Sequence, residues 1–166
     1  MHGQISGLSR RAAMAMACGG AIAVAVSGAV TAQGAGDGSS MIVDGVLAYL
    51  GVMPAAIVQG HPRSHPEGAM HGGAPEGRHQ YHLVLALFDA ASGNRIETAQ
   101  VSVTVMGLGH SGGTRADLDP MTIAGTVTWG AFVRLPGRDL YDLTFEVLLP
   151  GSKQTIVFPF RYAHSA

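Results

Sequence analysis

Five histidines, two glutamates and a methionine fall within HPRSHPEGAMHGGAPEGRHQYH, residues 61–82. Imidazole is the side chain most used to bind divalent transition metals, and near neutral pH it is mostly neutral and available. His65, Glu67, His71, His79 and His82 therefore offer nitrogen and oxygen donors at close spacing, while Met70 and Met121 add thioethers. Thioether sulfur favours Cu(I) and imidazole accepts copper, iron, zinc or nickel, so the donor set leans to copper without excluding iron. The competing reading is a solvated loop of His, Pro and Gly that meets a protein partner.

Position separates these donors. His61 and His65 each precede a proline, which holds them extended, and Gly72 and Gly73 after His71 let the chain bend back. His79 opens an alternating apolar segment, and His82 lies inside it, facing away from Tyr81 and Leu83. The pleat thus fixes the direction of His82, whereas the other histidines belong to a His-rich loop over 61–79. His110, in a glycine-rich loop, and His164, near the C-terminus, read as surface histidines.

The compartment decides what else a metal can use. LSRRAAMAMACGGAIAVAVSGAVTAQG carries two arginines, an Ala/Val-rich apolar run and small residues ending at Ala32, the order of a cleavable signal peptide over 1–32. A membrane anchor is the alternative, since the run reaches about twenty residues, but its Gly and Ser content favours cleavage. Ala12, Ala13 and Met14 after Arg10 and Arg11 favour the Sec route over the twin-arginine route. Cys18 is the single cysteine and leaves with the signal, so neither a disulfide nor a thiolate ligand is expected in the exported domain. Removing Arg10 and Arg11 from ten basic residues leaves eight against eleven acidic ones, a balance that excludes a nucleic-acid partner.

The elements that must hold the donors begin after QGAGDGSS, a flexible linker over 33–40. From 41 to 166 the apolar pattern alternates in short runs bounded by turn residues, with no long segment of helical period. An extended run over 45–58 is interrupted at Pro54. QYHLVLALFD follows, then a strand over 98–106, two strands over 121–135 divided near Trp129 and Gly130, LYDLTFEVLL and TIVFPFRY. About seven strands at this spacing predict an all-β, immunoglobulin-like antiparallel β-sandwich. Tyr141 in LPGRDLY sits where a tyrosine hydroxyl bonds back to the preceding turn. No P-loop, dinucleotide-binding glycine fingerprint or nucleophile elbow is present, and Asp89, Asp117 and Asp119 read as turn carboxylates, so no enzyme is expected.

Three of these stretches together resemble the small periplasmic metal-binding proteins that accompany bacterial high-affinity iron-uptake permeases. HPEGAMH is similar to their His-x-Glu segment, MTIAGTVTWG to their methionine followed by an aromatic and a glycine, and LPGRDLY with PFRY to their late strands. The resemblance implies a periplasmic immunoglobulin-like sandwich that binds copper and serves iron delivery. It places His65, Glu67 and Met121 among the ligands and makes an inner-membrane permease or another envelope protein the partner. Where the family sets a ligand histidine before the aromatic, this chain has Thr128 before Trp129. His71, His79 or His82 must then supply the missing donor.

Overall fold

The computed structural model describes residues 38–60, 73–109 and 112–165. The expected signal peptide, most of the expected linker, His110 and the ligand candidates His65, Glu67 and His71 lie outside the described residues. No helix among the described residues is long and apolar enough to cross a membrane.

Nine strands are described: β1 Ser40–Val43, β2 Val46–Pro54, β3 Gln80–Asp89, β4 Arg95–Ile96, β5 Gln100–Gly107, β6 Thr114–Ile123, β7 Thr126–Arg134, β8 Asp139–Leu148 and β9 Thr155–His164. All pair antiparallel in one continuous sheet of order β1-β2-β3-β7-β6-β5-β8-β9, with β4 added beside β3. β6 makes the sheet continuous. Its first half pairs with β5 through Thr114 to Leu118, and its second half pairs with β7 through Asp119 to Ile123. The sheet folds over along this strand, and its end strands β1 and β9 come near each other, giving a nearly closed barrel.

The period-2 patterns explain the core. Leu83, Leu85 and Leu87 of β3, Val101 and Val103 of β5, Trp129 and Ala131 of β7, Leu143, Phe145 and Val147 of β8, and Phe158 and Phe160 of β9 all point inward and are buried. Each strand then turns its other set of side chains to the outer face. Tyr141 is buried, and its hydroxyl donates to the Pro136 carbonyl at 2.6 Å, the bond expected of LPGRDLY. Burial pushes the Tyr141 and Tyr162 phenols up from their ordinary value, so both stay protonated donors.

Three expectations are corrected. Pro54 ends β2, but the chain continues as a short helix, α1 Ala55–Gln59, whose Ala55 and Val58 are buried. Proline suits this place because it lacks the donor that a first helical turn leaves unused. The stretch TRADLDP is the body of β6, so Asp117 and Asp119 lie in a strand rather than in turns. The break expected near Trp129 and Gly130 falls instead at Ala124 and Gly125, whose φ values of 50° and 79° form a two-residue hairpin turn of the type that matches strand twist. Gly130 therefore lies inside β7.

Candidate metal centre

On the outer face of β3, β7 and β6 the register brings three rows together. His82 pairs with Phe132, Val84 with Gly130, and Gly130 in turn with Asp119; in the next row Thr128 pairs with Met121. Directly paired residues point to the same side of a sheet. His82, Gly130, Thr128 and Met121 therefore share one face, opposite the core.

Side chains close over this face at Gly130. The His82 ring stacks on Phe132 with centroids 4.8 Å apart, and the ring is fully buried. Met121 is 3% exposed. A Cβ at residue 130 would stand 2.6 Å from His82 Nε2, 2.6 Å from Met121 Cε and 3.1 Å from Met121 Sδ. The absence of a side chain at Gly130 therefore leaves a cradle between an imidazole nitrogen and a thioether sulfur. Glycine within a strand commonly marks such a close approach.

A third polar atom belongs to the same place. Thr128, paired with Met121, is 8% exposed, and its Oγ1 has no hydrogen-bond partner among the described residues. Buried hydroxyls are nearly always satisfied, so an orphan one marks a site for a water or an ion. These donors fit a transition metal: neutral imidazole nitrogen and thioether sulfur are borderline and soft ligands that suit copper, and a hydroxyl can hold a metal-bound water. Among the described residues no three of His, Cys, Asp and Glu are grouped around a metal-sized space.

The other candidates separate from this pair. His79 adopts a left-handed backbone with φ 66° at the turn into β3, and its carbonyl accepts from Leu135 N at 2.9 Å. His164, expected at the surface, is 5% exposed. Its Nδ1 donates to the Gly137 carbonyl, and its Nε2 shares a hydrogen bond with the Tyr81 hydroxyl at 2.5 Å. Tyr81, Tyr141 and Tyr162 pack around the ring. Sequence reasoning missed this because it weighed the terminal position above the alternation of TIVFPFRYAH, which puts His164 on the face of Ile156, Phe158 and Phe160.

Beside Phe132 a cleft of about 500 Å³ opens, lined by Gly73, Pro75, Gln80, Ala116 and Asp117. The outer face of the other half of the sheet is different in kind. There Arg115 donates to Glu146 at 2.8 Å and to Ser102 at 2.6 Å, and Arg161 donates to Asp142 at 3.1 Å. Hydrogen bonding from Arg115 holds the Glu146 carboxyl below its ordinary value.

Fold and donors together define an all-β domain that carries nitrogen and sulfur on one sheet face. Several solved structures share this fold. The copper-bound variant of FetP from uropathogenic Escherichia coli superposes with a TM-score of 0.58 at 10% identity, over 76% of this chain and 89% of that one. The copper-reconstituted P19 protein of Campylobacter jejuni gives 0.58 at 12% identity, over 76% and 92%. A DUF4426 family protein of Pseudomonas aeruginosa gives 0.53 at 12% identity, over 75% and 94%. No family model matches the sequence, and no curated protein matches it significantly.

Proposed function

We propose that this chain is a non-catalytic, exported periplasmic protein that binds one transition-metal ion, copper in preference to ferrous iron, for transport or storage. The observation that carries this reading is the convergence of His82 Nε2 and Met121 Sδ on the cradle over Gly130. Imidazole and thioether together suit copper better than harder ions. Copper in the structures of FetP and P19, which share this fold, supports the same choice. His82 takes the part of the donor that the Thr128 substitution removes. In the same reading the two half-sheets are the faces of an immunoglobulin-like sandwich with β6 at its corner, and an inner-membrane permease or another envelope protein receives the ion.

Calorimetric titration of the purified protein with Cu(II) tests the proposal. One equivalent is expected to bind, and Met121→Leu and Gly130→Ala each lower the affinity about 10- to 100-fold, the range seen when a metal site loses a ligand or its support. Gly130→Ala acts by filling the cradle while leaving both donors in the sequence. Several weak equivalents, indifferent to both substitutions, would identify the His-rich segment as a nonspecific chelator and the domain as an interaction module.

A further inference from the structure

The described donors over Gly130 are all neutral, and a divalent ion placed among buried neutral groups leaves its charge uncompensated. Such burial is strongly unfavourable unless an anion is close. The sheet register supplies one. Asp119 pairs directly with Gly130 from the β6 side, so its side chain leaves the sheet on the face where His82 and Met121 meet. It stands two residues before Met121 on the same strand, and it is half-buried. Asp117, two residues earlier, is the only other acidic residue of β6, and it is exposed and paired with Ser102 of β5. The orphan Thr128 hydroxyl, paired with Met121 from β7, independently marks the space as one that takes a polar guest.

We propose that Asp119 is the anionic donor of this centre and that its carboxylate makes the site prefer a divalent ion over a monovalent one. The inference rests on the metal-binding reading given above. Carboxylate oxygen is a hard ligand that adds most to the binding of Cu(II) or Fe(II), while a soft monovalent ion gains its affinity from sulfur and nitrogen. His82 and Met121 hold either kind of ion. Asp119 discriminates between them.

Parallel titrations of the full protein with Cu(II) and Ag(I) test this. Asp119→Asn is expected to lower Cu(II) affinity about 10- to 100-fold while Ag(I) affinity stays within about twofold. Met121→Leu is expected to weaken Ag(I) at least as much as Cu(II), and Asp117→Asn to change neither. An infrared difference spectrum of the unsubstituted protein on adding Cu(II) gives a second readout, in which a coordinated carboxylate shifts its stretching bands. Unchanged Cu(II) affinity in Asp119→Asn, an equal loss in Asp117→Asn, or an absence of carboxylate bands would overturn the role of Asp119 and leave the metal-binding reading standing. If the unsubstituted protein takes up neither ion, the metal-binding reading fails, and this inference fails with it.

Discussion

His82 and His164 are both strand-borne and both buried, at 0% and 5% exposure, yet their surroundings assign them different work. His164 is closed on both ring nitrogens by oxygen partners, the Gly137 carbonyl and the Tyr81 hydroxyl. An imidazole satisfied in this way is a joint between β9, β3 and the turn before β8. His82 instead presents Nε2 to a thioether across a glycine, with the Phe132 ring beneath it. Burial alone does not separate the two histidines. On the metal-binding reading proposed above, the chemistry of the atoms within reach of each nitrogen does.

The strongest test of this contrast exchanges the two roles. His164→Ala leaves a carbonyl and a phenol without partners and opens a cavity, at a cost of about 3 kcal/mol, yet copper should still raise its denaturation midpoint. His82→Ala should abolish that copper-dependent rise, which in the unsubstituted protein amounts to about 2.7 kcal/mol at a free-ion concentration one hundred times Kd. Denaturant midpoints with and without Cu(II) check both. If copper stabilises His82→Ala but not His164→Ala, the assignment of the two histidines is reversed.

A smaller effect sharpens the structural half of the comparison. Tyr141 packs beside His164 and donates to Pro136, so Tyr141→Phe should cost about 1 to 3 kcal/mol by leaving that carbonyl unsatisfied. Cu(II) uptake should not change, and equal denaturant midpoints would show that the hydroxyl bond adds nothing.

The smallest effect comes from the charged face of the other half-sheet. Because Arg115 holds the Glu146 carboxyl below its ordinary value, this pair adds stability above the usual glutamate range, and the contribution is lost as pH falls through the lowered value. Glu146 is exposed to solvent screening, so the effect is slight. Between about pH 7 and pH 3 the unsubstituted protein should lose slightly more stability than Glu146→Gln, as read from urea midpoints. An identical pH dependence would mean that the pair is only a solvated contact.

Much of this architecture was legible because alternation is a direct physical signal. Leu83 to Leu87, Val101 to Val105 and Leu143 to Val147 each put one face inward, and the structure buries those faces. Where the pattern carried less information, the reading failed. AAIVQ is apolar in either a strand or a helix, so α1 was not separable from the end of β2. TRADLDPMTI mixes charge and proline because β6 serves two neighbours and changes partner midway, which blurs its alternation. Gly130 reads as a break in sequence because a strand glycine and a turn glycine look alike until it is known what crosses above. Of the predicted ligands, the described structure unites only His82 and Met121, and these are the two whose directions a strand fixes.

The two-residue turn at Ala124 and Gly125 has a consequence for inheritance. Together with the apolar alternation it sets which residue of β6 lies opposite which of β7, so it helps hold Met121 against Thr128 and Asp119 against Gly130. A single inserted residue there, if absorbed by slippage, would turn Trp129 toward solvent and carry Gly130 to the inner face. The distance between donor atoms is thus under the control of a turn that touches none of them. Insertions at this turn should therefore be purged more strictly than substitutions at many positions nearer the cradle.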